Sequence, residues 1–156
     1  MPARFVLKVG RGIADHFPVR VSEWIMTYAV LGWGVVLISD PDTFNKSMSF
    51  SEMSRWFDQT TWAIICLNIG AWKLFALVIN GTFKQHFPYS AQLRGFTGLV
   101  SCFLWGQIVL GILVSWKTNN GSLTGFVAYS TFMFLDIWNM LRAWFDIGVN
   151  KVARSL

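Results

Sequence analysis

The chain has 156 residues, of which 54% are hydrophobic, 17% aromatic and 13% charged, with a formal net charge of +5. Soluble domains carry about 25% charged residues, and a soluble core of this length has no room for nine Trp and fourteen Phe. This excludes an ordinary soluble domain and predicts an all-α integral membrane protein; the basic excess reads as loops against anionic lipid, with no nucleic-acid-binding motif.

In chain order, residues 3–17, "ARFVLKVGRGIADHF", predict an interfacial helix. Arg4, Lys8, Arg11 and Asp15 fall on one helical face, and Phe5, Val9, Ile13 and Phe17 on the other. Gly10 and Gly12 lower its propensity, and Pro18 ends it. The first span follows at about 22–39. In the next loop, Ser49 and Glu52 have the spacing of a capping box, with Met53, Trp56 and Phe57 behind them. They predict a short amphipathic helix on the outer surface. Further spans are expected at about 60–83, 95–116 and 123–145, each near the length of about 20 residues that crosses a bilayer. Trp24, Trp62, Tyr89, Trp116 and Trp144 lie close to proposed ends, where amphipathic rings favour the headgroup layer. The whole chain, 1–156, reads as one membrane domain of four spans and two amphipathic surface helices.

Loop charge orients it. Arg4, Lys8, Arg11, Arg20, Lys84, Arg94, Arg142, Lys151 and Arg154 fall on one side, and Lys46, Arg55 and Lys117 on the other. The positive-inside rule places both termini in the cytoplasm, with the membrane-interface basic residues Arg4, Lys8, Arg11, Arg20, Lys84, Arg94, Lys151 and Arg154 against the inner surface. No apolar stretch followed by a small-residue cleavage site precedes the first span, so no cleaved signal peptide is expected.

Lys73 stands in the middle of the second span, in "NIGAWKLFALVING". A bare ammonium at that depth costs about 2.5–3.5 kcal/mol on insertion scales. Lys73 lies thirteen residues after Thr60, and Asp136 thirteen after Leu123. Both spans run in the same direction, so the two side chains sit at nearly one depth. If the second and fourth spans are neighbours, they form an ion pair. Asn139 and Arg142 follow Asp136 at spacings of three. Asn68, Asn80 and Gln107 are further polar groups within spans. Three readings stay open: a polar clamp that fixes helix register, a wetted path or ion site, and a lysine that snorkels to the interface.

The remaining chemistry is sparse. Cys66 and Cys102 lie in apolar runs and read as small buried hydrophobes. His16 and His86 are near the inner interface and are too few for a metal site. No serine–histidine–acid set, phosphate loop or CxxC is present, so no enzyme, cofactor or metal is expected.

The runs "RFVLKVGRGIADHFPVRVSEW" and "SFSEMSRWFDQTTWAIICLNIG" resemble small polytopic membrane proteins of tailed bacteriophages, some of them holin-like. The resemblance implies a protein of the bacterial host's inner membrane that oligomerises and opens holes, and it carries no site residue with it. On that reading Lys73, Asp136, Asn139 and Arg142 face a pore or protomer interface. The alternatives are a structural or accessory subunit bound to a membrane-protein partner, and a small ion carrier.

Overall fold

The computed structural model describes residues 2–82, 87 and 89–155. Lys84 and His86 lie outside the described residues. The described chain is helical throughout, with no strand. Helix α1 spans Pro2–His16 and α2 spans Val21–Ser39. Three single turns follow: α3 at Thr43–Lys46, a 3-10 turn at Met48–Phe50 and α4 at Ser51–Ser54. The long helices α5 (Gln59–Thr82), α6 (Ser90–Asn119) and α7 (Thr124–Ser155) complete the chain. Three segments are long and apolar enough to cross a membrane: Val21–Ser39, Gln59–Asn80 and Ser90–Thr118. Helix α7 is long enough, but Asp136, Asn139 and Arg142 dilute its hydropathy.

The four long helices pack up-down-up-down. Helix α6 packs closely on α7, and α2 on α5; α5 joins α6, while α2 touches α7 only lightly. One end of the bundle therefore carries the start of α2 and the last third of α7. The opposite end carries the 40–58 loop. Helix α1 leans on α5, with Val9, Gly12 and Ile13 less exposed than Val6 and Leu7.

Close approach is built in by small residues. A Cβ on Gly34 would lie 2.9 Å from Leu67, and one on Gly70 would lie 2.5 Å from Leu31, so α2 and α5 meet where neither glycine can grow. At the loop end, a Cβ on Gly111 of α6 would lie 2.0 Å from the Ser49 carbonyl oxygen. The 3-10 turn thus rests directly on α6 backbone. Helix α6 ends because Asn120 takes the left-handed conformation (φ 52°), as asparagine can at a C-terminal cap.

The 40–58 loop differs from its expectation. One amphipathic helix was expected, and three separate turns are found. The capping pair is displaced as well: Ser47, not Ser49, accepts from a backbone N–H, that of Ser49 at 3.3 Å. Glu52 pairs with Arg55 instead of reaching back to a cap. The cause is anchoring elsewhere. Gln59 Nε2 donates to the carbonyls of Leu37 (2.7 Å) and Asp40 (2.6 Å), and its Oε1 accepts from the N–H of Phe44 (2.9 Å). Trp62, expected at the headgroup layer, is buried and donates from Nε1 to Met53 O at 2.8 Å. These ties fold the loop back onto the bundle as separate turns.

Helix ends also shift. Helix α6 starts five residues before its expected span, which takes Arg94 out of a loop and into the first turns of a helix. Helix α7 runs ten residues past its expected end at 145.

Candidate functional site

Side chains from α2, α5, α6 and α7, with Arg20 just before α2, form a ladder of charge inside the bundle. The lower rung is at the end where α2 and α6 begin. Arg20, immediately before α2, donates from Nη1 to Glu23 Oε1 at 2.7 Å and from Nη2 to Asp146 Oδ2 at 2.9 Å. Arg94 on α6 donates from Nη2 to the same Asp146 oxygen at 2.6 Å. Its Nε lies 3.0 Å from Glu23 Oε2, an ion pair by distance but poorly aligned as a hydrogen bond. The early start of α6 and the continuation of α7 are what bring Arg94 and Asp146 together.

The upper rung is deeper. Lys73 Nζ donates to Asp136 Oδ1 at 2.5 Å, and Trp105 Nε1 donates to Asp136 Oδ2 at 3.0 Å. Asp136 is fully buried, and Lys73 and Trp105 are nearly so. Ten residues of α7 separate Asp136 from Asp146, a rise of about 15 Å. Asn139 stands between the rungs and accepts at Oδ1 from Ser22 Oγ at 2.6 Å. The hydroxyls of Thr27, Thr97 and Ser101 turn back onto their own helices' carbonyls. Thr27 and Thr97 line the ladder's central void without competing for its charges.

The ladder is neutral. Arg20, Arg94 and Lys73 balance Glu23, Asp146 and Asp136. Isolated, each buried charge would carry a desolvation penalty of several kcal/mol, and pairing offsets it only when hydrogen bonds satisfy the rest of each group. The upper rung meets that condition at both Asp136 oxygens. The lower rung meets it in part: Arg20 Nε, Arg94 Nε and Arg94 Nη1 have no aligned hydrogen-bond acceptor among the described residues.

The structure brings together Lys73, Asp136 and Asn139, but not every residue expected beside them. Asn68 is exposed, and its Nδ2 donates to Ile64 O one turn back on its own helix. Gln107 is buried on α6, but it is not among the residues around the ladder's central void. Arg142 reaches across to Val19 O at 2.8 Å and ties α7 to the α1–α2 linker. Asn80 is buried and accepts from Ser90 Oγ at 3.2 Å. Arg20 and Arg94, expected among the basic residues facing lipid, are instead rungs of the ladder. Lys8 and Arg11 are exposed on α1. Arg4 falls in α1, and Lys151 and Arg154 in the last turns of α7.

Four ladder residues escaped the sequence reading: Glu23, Asp146, Trp105 and Ser22. Two left a signal. Asp136, Asn139 and Asp146 lie at i, i+3 and i+10, one helical face. Glu23 follows Arg20 by three residues, a pairing distance on a helix. Nothing in the sequence singles out Trp105 among nine tryptophans.

A second feature lies beside the ladder. Where α2 and α7 separate, a cleft of about 640 Å³ opens, walled by Ile25, Trp33, Trp105, Tyr129 and Phe132. Its walls are aromatic and apolar, so it offers shape but little directional chemistry. Among the described residues, no three His, Cys, Asp or Glu side chains are grouped to hold a metal ion. No family model, no curated protein and no solved structure matches the chain.

Proposed function

We propose that this chain is a non-enzymatic, four-span protein of a bacterial inner membrane, with both termini cytoplasmic, acting as a structural or accessory subunit for a membrane partner. The observation that carries the reading is the Lys73–Asp136–Trp105 set. The two intramembrane charges neutralise each other inside one copy of the chain and leave no charged face for a lumen between copies. Taking α7 as the fourth span rests on its sidedness. Its polar Asp136 and Asn139 are buried, while Val127, Phe134, Trp138, Leu141 and Phe145 are exposed and suited to lipid or to a partner helix. The cytoplasmic placement of the termini rests on the loop-charge asymmetry.

A holin-like pore lined by Lys73, Asp136, Asn139 and Arg142 would require the ladder to open first, exposing paired charges. One experiment separates the two. The full chain is expressed in bacteria while membrane potential is followed, then purified under mild solubilisation. The accessory reading expects an unchanged potential and a co-purifying membrane protein. Rapid depolarisation, lost in a well-inserted Lys73→Ala variant, would replace it with the pore.

A further inference from the structure

We propose that the void between the two rungs is a binding site for a single water molecule, which joins the rungs and opens the Asp136 end of the ladder to hydrogen exchange from the end of the bundle where Asp146 lies. The inference rests on the ladder geometry alone and does not need the accessory role.

Size comes first. The void measures about 10 Å³ and lies among Glu23, Lys73, Arg94, Asp136 and Asn139. One water requires roughly 10–15 Å³ on this measure, together with two to four polar partners. The partners are present. Arg94 Nη1 and Asn139 Nδ2 belong to residues only 5% exposed, and neither donor has an acceptor among the described residues. Buried donors are seldom left without a partner, protein or ordered water. Acceptor residues also line the void, Asp136 and Glu23 among them. Asp136 Oδ1 receives Lys73, and Glu23 Oε1 receives Arg20, and a carboxylate oxygen retains a further lone pair after one such bond. A molecule that accepts from Arg94 and Asn139 while donating to a carboxylate satisfies both sets.

Charge decides its identity. Three cations and three carboxylates already cancel in the ladder. A chloride would sit beside Glu23 and Asp136, and a sodium ion beside Arg94 and Lys73. Either would add net charge in a low-dielectric interior, where an uncompensated ion is strongly disfavoured. Water both donates and accepts and adds no charge.

The polar route to the ladder is one-sided. Toward the loop end, Trp105 packs against Phe132 (centroids 5.1 Å apart) and Tyr129 (6.1 Å), and together they wall the apolar cleft between α2 and α7, which lipid rather than water fills in a membrane. Toward the other end, the ladder leads through Arg94 to Asp146, whose side chain is 40% exposed. Trp105 meets the void only through Asp136, whose Oδ2 accepts its indole N–H. The exchange moves no net charge: through that carboxylate the indole gives up one proton and takes one deuteron, passed from solvent by way of the bound water.

The test is hydrogen–deuterium exchange of the Trp105 indole, followed by NMR on the full chain in nanodiscs, with Trp62 as the internal comparison. Trp62 is equally buried, and its indole bonds a backbone carbonyl at the loop end. Two variants act on the site. Asn139→Leu removes a donor. Gly98→Ala keeps every polar group and adds a methyl to the void's wall, and its nearest neighbour would be at 3.6 Å, so the helix accepts it. The expected result is that Trp105 exchanges in the native chain and slows at least about tenfold in both variants, while Trp62 does not change. Unchanged Trp105 exchange in a folded Gly98→Ala variant overturns the proposal. So does a high-resolution structure with no ordered water within hydrogen-bond reach of Arg94 Nη1 and Asn139 Nδ2. Neither readout depends on a partner protein or on membrane potential, so this inference and the accessory role fail separately.

Discussion

The two halves of the bundle use the same helices but are held together by different physics. In the half containing Asp146, charges decide which helices meet: α2, α6 and α7 converge on Glu23, Arg94 and Asp146, and α5 joins them through Lys73. In the loop half, volume decides how closely they meet. Gly111 lies against Ser49 backbone and Gly34 against Leu67. Trp33 packs on Phe50 (5.6 Å) and Tyr129 (5.8 Å), and Phe44 stacks on Phe50 (5.6 Å). Between apolar helices in lipid there is little hydrophobic drive to associate, so direction must come from polar pairs and closeness from small residues. The chain assigns these tasks to opposite ends. The charged half should therefore be sensitive to unpairing, and the loop half to added volume.

The largest effect tests the first half of that statement. Lys73→Ala or Asp136→Ala leaves an unpaired buried charge and should destabilise by about 3–5 kcal/mol. The double change Lys73→Met with Asp136→Leu removes both charges at similar volume, and it should unfold much closer to the native chain. Unfolding midpoints in detergent give the comparison. A double variant as unstable as either single one would mean that burial of apolar volume, not pairing, holds this half.

Volume is tested next. Gly111→Ala forces a methyl onto the Ser49 carbonyl and should cost about 1–3 kcal/mol, the range for overpacking. Gly32→Ala is its counterpart, since nothing lies within 4 Å of the added methyl. There the helix preference of alanine should be neutral or favourable by up to about 1 kcal/mol. Equal effects at Gly111 and Gly32 would erase the distinction between a close-packed and an open glycine. A smaller change is Trp62→Phe, which keeps a ring but loses the hydrogen bond to Met53 O. It should cost about 1 kcal/mol and raise proteolysis within 40–58, because Trp62 is one of the ties that fold that loop.

How legible each half was in the sequence follows from the same contrast. Charges at helical spacing can be read from one sequence, because period and direction fix depth and face. Lys73 and Asp136 could be set side by side from matching offsets. Lys73 and Asn80, seven apart, share a face, and both are buried. Asn68 is five residues from Lys73, about 140° around the helix at 3.6 residues per turn, so its outward position was also readable. What obscured Arg94 and Asp146 is where the spans were drawn: each falls just outside an expected span, so Arg94 reads as an inner-surface residue and Asp146 is not singled out. Hydropathy marks where a helix meets lipid, not where it starts. The loop half was less legible because its contacts are backbone to backbone or ring to ring. Gly111 on Ser49 and Trp62 on Met53 join segments whose relation no periodicity encodes.

The smallest expected effect compares like with like across the two environments. Lys46 and Asp40 form an ion pair at 2.7 Å in the loop, close to the Lys73–Asp136 distance, but their side chains are 61% and 43% exposed. The hydrogen bond from Lys46 holds the Asp40 carboxyl below its ordinary value of 3.8. A carboxyl depressed in the folded state adds stability above its unfolded value, and that contribution disappears as pH falls through the folded one. The pair should therefore act at neutral pH and be lost in acid. Water and salt screen it on the surface, so its contribution is small. Asp40→Asn should shift the unfolding midpoint barely at neutral pH and low salt, and not at all in strong acid or at high salt. A shift as large as that of Asp136→Ala would show that solvent exposure is not what separates the two pairs. A negligible one would mean that burial turns the same ammonium–carboxylate contact from a surface detail into the element that fixes how the helices assemble.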